Sequence, residues 1–177
     1  AAMAGEEASG AVGAQRAADI DPATGVYREA VLRKLLQQHV DRARLKQHPV
    51  SLLHLVLDQV PALREAGGQV GVVSGLRPVA DLLRDELDHG DLIGLAGDDG
   101  FLVVAHGKKL LQAREYADRL REAVSHMVVD PRIAPMLSIS VGIAQAGPDE
   151  RNIAALTDRA AKAALVASKN GGNQIFS

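Results

Sequence analysis

Residues 92–106 read LIGLAGDDGFLVVAH, and this stretch decides the fold. Two apolar runs flank Gly97-Asp98-Asp99-Gly100, and these residue types favour a tight turn between antiparallel strands. The stretch therefore predicts a β-hairpin. On both sides of it, the apolar residues recur either at helical spacing or in short strand-like runs.

The segments before the hairpin predict two helices and one strand. Apolar residues at helical spacing indicate a helix over about 28–47, which Pro49 ends. The run 51–57 (SLLHLVL) is short, apolar and bounded by prolines, so it predicts a buried strand. The Gly-rich stretch 67–75 lacks a P-loop Lys and a G-x-G-x-x-G pattern, so it predicts a flexible turn. An amphipathic helix follows over about 76–87.

The segments after the hairpin complete the pattern. Helical spacing predicts a third helix over about 110–127, and apolar residues alternate with small ones in a strand over 137–143. A last helix over 153–167 ends at Gly171-Gly172, and a short strand over 174–176 closes the chain. The order α β α β β α β α β predicts an α+β fold, with helices packed on an open, mostly antiparallel five-stranded sheet.

Composition excludes several classes of protein. The chain has 177 residues, 47% of them apolar and 24% charged, which is typical of one globular domain. No apolar run reaches the length of about 18 residues that a membrane span needs, so we expect no membrane contact by this domain. No secretory signal is recognisable, which favours a cytoplasmic location.

The counts of charged, cysteine and aromatic residues narrow the chemistry. With 20 Lys and Arg against 22 Asp and Glu, the net charge of −2 argues against a general nucleic-acid surface. The absence of Cys excludes thiol catalysis and thiolate zinc sites. Only two Tyr and two Phe are present, which argues against stacking of bases on aromatic side chains.

Two parts of the chain differ in organisation. Residues 1–20 are rich in Ala and Gly without a sustained period, and we interpret them as a linker or tail. Residues 21–177 are predicted to form the folded domain. Because the sequence does not begin with Met, we expect it to be a fragment of a longer chain.

Five segments together resemble one known family, the GGDEF domains of diguanylate cyclases, which join two GTP molecules into cyclic di-GMP. The segments, in chain order, are 21–26 (DPATGV), 52–58 (LLHLVLD), 91–101 (DLIGLAGDDGF), 137–144 (LSISVGIA) and 160–173 (AAKAALVASKNGGN). The resemblance covers about residues 21–177. It implies a nucleotide-cyclase or palm-like fold with a ferredoxin-like core.

The resemblance also places the family's functional residues on this chain. The metal-binding Asp of the family's first strand falls at Val56, and the second Asp of its D-x-D pattern falls at Asp58. The guanine-binding Asn and Asp fall at Arg64 and Val73. The signature G-G-D-E-F falls at Gly97-Asp98-Asp99-Gly100-Phe101, so Gly100 replaces the signature Glu.

These replacements predict a degenerate domain that is not an enzyme. The family's reaction needs a divalent metal to offset phosphate charge, and hard cations need oxygen ligands, which Val56 and Gly100 lack. Losing a metal carboxylate should cost several kcal/mol of transition-state stabilisation. Each polar group of guanine that is left without a hydrogen-bond partner should cost about 1–3 kcal/mol more. We therefore expect no catalytic residues and no resident cofactor, with magnesium only if some nucleotide binding persists.

Two further family motifs are altered. Lys169 matches a phosphate-contacting Lys, but Lys162 stands where the family has an Asp, and the Arg of the closing motif is missing. The family's inhibitory site has the pattern R-x-x-D, and here Asp88 takes the place of the Arg while Asp91 keeps the Asp. An Asp at that place repels a phosphate ligand, so we expect the inhibitory site to be absent.

Each candidate residue also has a simpler interpretation. Asp58, Asp98 and Asp99 could form a displaced metal site, but we favour a strand end at Asp58 and an ordinary turn at the Asp pair. Lys169 could hold a phosphate or could equally be a solvated Lys near a helix end. The six His residues show no ligand spacing, so we expect no metal site among them.

The sequence thus predicts an inactive GGDEF-like domain that serves as a regulatory or protein-interaction module in bacterial cyclic di-GMP-type signalling. Its partner would be another signalling protein or domain, and a homodimer remains open. The alternative is a non-catalytic nucleotide-sensing domain that binds GTP or cyclic di-GMP. A residually active diguanylate cyclase that uses Asp58 and Asp99 ranks last.

Overall fold

The computed structural model describes residues 17–132 and 136–177 of the chain. Its helices and strands follow the predicted order. They are α1 (Glu29–Lys46), β1 (Val50–Leu57), α2 (Val60–Glu86), β2 (Leu92–Ala96), β3 (Gly100–His106), α3 (Leu110–Ser125), β4 (Ile139–Gln145), α4 (Ile153–Lys169) and β5 (Ile175–Phe176). None of the helices in these ranges combines the length and apolar character that crossing a membrane requires.

The strands form one five-stranded sheet in the order β2-β3-β1-β4-β5. Three neighbouring pairs are antiparallel, and only β4 and β5 run parallel. The predicted α+β architecture with a mostly antiparallel sheet is therefore confirmed, as is the hairpin of β2 and β3.

Strand β1 lies at the centre of the sheet and is buried on both faces. Leu53, Leu55 and Leu57 point to one face and join the larger apolar cluster, which includes residues of α2 and α3. Val50 and Leu52 point to the other face and join the cluster of α1 and α4. Burial on both sides explains why the run 51–57 is almost continuously apolar rather than alternating.

Residues just before Asp21 already contact the folded domain. Residues 1–16 of the predicted tail lie outside the described residues. Ile20 forms a β-bridge with Tyr27, and the backbone N–H of Arg28 donates to the carbonyl oxygen of Asp19. Contacts with the folded domain therefore begin before Asp21.

The flexible turn predicted over 67–75 is confined to Gly68. Two helical arms of α2, 60–67 and 69–86, meet at this residue, which alone departs from helical geometry, with φ 59° and ψ −146°. Glycine adopts this positive φ without a steric penalty, so the chain turns there and the rest of the predicted turn is helical. At Gly71 an added Cβ would lie 2.4 Å from the carbonyl oxygen of Leu63, so the bend brings the two arms of the helix too close for a side chain.

Helix α4 packs directly on the backbone of β4. Small residues, among them Ala160 and Ala164, form its buried face. An added Cβ at Gly142 of β4 would lie 2.1 Å from the backbone nitrogen of Ala164 and 2.2 Å from the carbonyl oxygen of Ala160. Only glycine therefore permits this separation of helix and sheet, and the α4–β4 contact depends on it.

We expect Gly142→Ala to lower the free energy of unfolding by about 3 kcal/mol, because the new methyl group overlaps backbone atoms that cannot move away alone. Urea titration should show a lower midpoint with an unchanged slope. The matched control is Gly67→Ala, where an added Cβ meets no atom within 4 Å, and a stabilisation of up to about 1 kcal/mol is expected. Equal midpoints for the two variants would contradict this account of the contact.

Candidate functional site

The end of β1 aligns three positions across the sheet. Val56 lies opposite Gly100 of β3 and opposite Ser140 of β4. Directly opposed residues in antiparallel strands present their side chains to the same face. Val56 has the same strand parity as Leu52, so this row faces the side of the sheet that α1 and α4 cover.

The row brings together two of the three positions that the resemblance assigns to metal ligands, Val56 and Gly100, while the third, Asp99, precedes Gly100 in the turn. It contains only Gly100, Val56 and Ser140, so it offers a divalent cation no carboxylate. A Cβ built on Gly100 would lie 1.9 Å from the carbonyl oxygen of Leu55, so any side chain there would force β1 and β3 apart. The residues of this row therefore do not fit a magnesium ion.

Asp58, the first residue after β1, holds three segments together. One carboxylate oxygen accepts a hydrogen bond from Ser138 Oγ at 2.6 Å, and the other accepts one from Ser140 Oγ at 2.6 Å. The backbone N–H of Asn173 donates to the same carboxylate at 2.8 Å. Asp58 thus joins the end of β1 to β4 and to the loop before β5, and its charge is compensated by these donors.

The signature turn, residues 97–100, forms an ion pair with α2 and has no side-chain contact with Asp58 among the hydrogen bonds described above. Arg64 Nη2 lies 2.9 Å from Asp98 Oδ2, in an ion pair whose side chains are 46% and 67% exposed. The carbonyl oxygen of Asp99 accepts a hydrogen bond from the backbone N–H of Leu57 at 3.0 Å. Within residues 17–132 and 136–177, no group of three or more His, Asp or Glu residues is placed to hold a metal ion. The structure does not assemble Asp58, Asp98 and Asp99 into a metal site.

The first turn of α1 also contacts the signature turn. Glu29 Oε1 accepts a hydrogen bond from the backbone N–H of Gly97 at 2.5 Å, and Glu29 Oε2 lies 3.3 Å from Arg33 Nε. Below them, the half-buried His54 lies on the same face as Val56. Burial is the main cause that lowers the pKa of His54. The positive charge of Arg33 lowers it further, whereas the negative charge of Asp99 raises it. The pKa is lowered on balance, so the imidazole is neutral near pH 7.

Sequence reasoning did not single out His54 as part of this site. The available signal was one ionisable residue in the apolar run SLLHLVL. Its approach to the signature turn could not be read from spacing, since it depends on the pairing of β1 with β3.

The other predicted substrate positions are spread over different elements. Val73 is half-buried within α2, on the far side of the Gly68 bend from Arg64. Lys169 is exposed in the last turn of α4. None of the ion pairs found among the described residues includes Lys169. Arg64 and Val73 thus lie on α2 and Lys169 on α4, and their roles stay predictions.

Asp91 and Asp88, at the family's inhibitory position, belong to an ion network. The side chain of Asp91 is 1% exposed, and its oxygens accept from Lys108 Nζ at 3.0 Å and from the backbone N–H of His106 at 2.9 Å. Asp88 lies 3.0 Å from Lys108 and 2.7 Å from Arg119. The hydrogen bond from Lys108, followed by that from Arg119, lowers the pKa of Asp88 below its usual value of 3.8.

Tyr116 contacts three residues of this network. Its hydroxyl oxygen accepts a hydrogen bond from the backbone N–H of Asp88 at 3.0 Å. Lys108 Nζ lies 4.3 Å and Arg119 Cζ 4.9 Å from the centre of its ring, which favours both cations electrostatically. Burial is the main cause that raises the pKa of Tyr116 far above its normal value, so it stays protonated. The cations near the inhibitory position are thus paired within the protein.

We expect Asp58→Ala to lower the free energy of unfolding by about 3 kcal/mol, because it leaves two buried hydroxyls and one N–H without their charged acceptor. The matched control is Asp98→Ala, which removes an exposed ion pair and should cost less than about 1 kcal/mol. Urea unfolding of both variants measures the difference. Equal losses would mean that Asp58 contributes no more than a surface charge.

Comparison with known proteins places the chain in a family. The family model described as "Diguanylate cyclase, GGDEF domain" matches residues 18–174. An uncharacterized protein of Mycobacterium tuberculosis is 30% identical over 162 residues, which cover 89% of this chain and 25% of that protein. The chain thus spans about a quarter of the length of the curated relatives it matches.

Solved structures share the fold. The GGDEF domain of FimX from Pseudomonas aeruginosa is 25% identical, with a TM-score of 0.81 over 89% of this chain and 98% of that one. Diguanylate cyclase SiaD from the same organism, in complex with its activator SiaC, is 22% identical, with a TM-score of 0.84 over 97% of this chain and 66% of that one. With the family model matching nearly the whole described chain, we conclude that this protein belongs to the GGDEF domain family of cyclic di-GMP signalling.

Proposed function

We propose that this GGDEF domain is catalytically inactive and acts as a regulatory or protein-interaction module of cyclic di-GMP-type signalling in the cytoplasm. One observation carries the proposal. The row of Gly100, Val56 and Ser140 contains two of the three positions at which the family would hold its metal, and it has no carboxylate, so Asp99 alone keeps a family ligand.

The chemistry of the family explains why this observation supports the proposal. Joining two GTP molecules requires a divalent cation that neutralises phosphate charge and assists deprotonation of the attacking hydroxyl, which is worth several kcal/mol. Asp58 is the nearest carboxylate in sequence, but its oxygens accept from Ser138, Ser140 and Asn173. Diverting it to a metal would break these hydrogen bonds, so Asp58 is a poor substitute ligand.

The intact apolar core is consistent with a role in protein interaction, which needs a stable surface but no catalysis. The two clusters on either face of the sheet are continuous and give a rigid body that can present a surface. SiaD, a protein of the same fold, is known in complex with its activator SiaC. We infer that the partner of this domain is likewise another signalling protein or domain.

Incubation with magnesium and GTP should yield no cyclic di-GMP, because no carboxylate in the row can hold the cation. Liquid chromatography of the nucleotides measures this, with an active diguanylate cyclase as the positive control. The Asp99→Ala variant should be indistinguishable from the parent. Formation of cyclic di-GMP at a rate that disappears in Asp99→Ala would instead establish a residually active cyclase.

A second candidate is a domain that binds GTP or cyclic di-GMP without turnover. The observation that favours it is Lys169, an exposed cation that matches the family's phosphate-contacting Lys and takes part in none of the ion pairs seen in the described ranges. Against it stand Arg64, which is paired with Asp98, and Val73, which offers guanine no hydrogen bond.

Calorimetric titration with each nucleotide separates the two candidates. For an inactive interaction module, any binding heat with GTP or cyclic di-GMP should be the same in Lys169→Gln as in the parent, because no nucleotide then contacts Lys169. Nucleotide sensing predicts heat that is lost in Lys169→Gln but kept in Lys46→Gln, which changes an exposed Lys in the last turn of α1. That second pattern would replace the proposed function with the sensing function.

A further inference from the structure

A cleft lies at the end of the sheet away from the signature turn. We name it the basic cleft; its charged and polar lining includes Arg44, His48, Lys109, Gln145, Asp149 and Arg151. It has a volume of about 660 Å³ and opens between the end of α1, the start of β1 and the loop that joins β4 to α4.

The basic cleft is separate from the positions that the family resemblance assigns. Ser51, at the start of β1, pairs with the cleft residue Gln145, whereas Val56 pairs with Gly100. These two points of β1 lie about 17 Å apart along the strand, since a strand rises about 3.3–3.4 Å per residue. A ligand in the cleft would therefore leave the signature turn free.

The lining carries an excess of positive charge. Arg44, Lys109 and Arg151 line the cleft, His48 adds a titratable group, and Asp149 is its one acidic residue. The chain as a whole has a net charge of −2, so this concentration of cations is local. Low-dielectric walls around charges of one sign raise the local concentration of oppositely charged ligands.

Two hydrogen bonds to α1 fix the loop that forms one wall. Gln37 Nε2 donates to the carbonyl oxygen of Arg151 at 2.7 Å, and Arg44 Nη1 donates to that of Glu150 at 3.1 Å. Arg44 is itself held by Asp41 Oδ1 at 3.2 Å. The wall is thus formed before any ligand arrives, which lowers the entropic cost of binding.

Glu150, which follows Asp149 in this wall, is paired inside the protein. Both oxygens of Glu150 lie 3.0 Å from the guanidinium of Arg159, and its side chain is 10% exposed. This pairing lowers the pKa of Glu150, so its charge is fixed and compensated by Arg159. Lys109 and Arg151, by contrast, are exposed and occur in none of the ion pairs between described residues.

We propose that the basic cleft binds a small molecule that carries phosphate groups. Its volume lies within the range of about 300–1,000 Å³ that is usual for small-molecule sites. Arg44 is held in place by Asp41 and contributes a guanidinium to the lining. Lys109 and Arg151 add two positive charges, and a ligand can bind them without first breaking an ion pair within the described part of the protein. Guanidinium and ammonium groups form the strong, charge-assisted hydrogen bonds by which proteins hold phosphate.

Calorimetric titration of the 177-residue chain at low salt tests the proposal, with inorganic pyrophosphate and with ADP as probes. We expect binding of at least one probe, weakened about tenfold or more in the double variant Lys109→Gln/Arg151→Gln, since two charge-assisted contacts are lost. The matched control Lys34→Gln/Arg77→Gln removes one exposed Lys and one exposed Arg outside the cleft and should change the affinity little. Circular dichroism verifies that both double variants are folded.

Three outcomes would overturn the proposal. The first is no heat with either probe at millimolar concentration. The second is an equal loss of affinity in both double variants, which would indicate attraction to overall charge. The third is binding of a Glu-rich peptide that depends on Lys109 and Arg151 while neither phosphate probe binds. Salt should weaken the expected binding and should do so less in the cleft variant, because fewer exposed charges then contribute.

Discussion

The pairing of β1 with both β3 and β4 is the constraint on which the rest of the structure depends. A central strand with neighbours on both edges has its backbone groups paired, and the apolar clusters on both faces bury its side chains except for the half-buried His54 and Val56. Every other element is arranged around it: α2 and α3 cover one face, and α1 and α4 cover the other. Gly142 lets α4 approach β4 closely enough to complete that cover.

The same pairing determines what the site can do. The register places Val56 between Gly100 and Ser140, so the two positions at which we predict a family carboxylate to be replaced lie in one row rather than at unrelated points. At the next position, Asp58 satisfies two hydroxyls and one backbone N–H. A carboxylate that would otherwise attract a cation at the end of β1 therefore stabilises the junction of three chain segments. This is why the proposed role is one of interaction rather than catalysis.

Much of the fold could be predicted from local pattern. The residues Gly97-Asp98-Asp99-Gly100 gave the hairpin because turn chemistry acts over a few neighbouring positions. The exception was 67–75, where glycines usually associated with loops lie inside α2. Their reason is a contact with Leu63 that appears only after the helix has bent at Gly68. Glycine content alone cannot distinguish a mobile turn from a close approach of two backbones.

The sequence by itself determined the order of the elements, the family resemblance and the residue types at Val56, Gly100 and Asp88. Only the tertiary structure decided which partner each charged side chain binds. Arg64 and Asp98 are 34 positions apart, and Asp58 and Asn173 are 115 apart, yet both pairs are in hydrogen-bond contact. Periodicity and turn chemistry act between near neighbours, whereas these contacts arise from how the sheet and its helices pack. The basic cleft depends in the same way on α1 meeting the loop between β4 and α4.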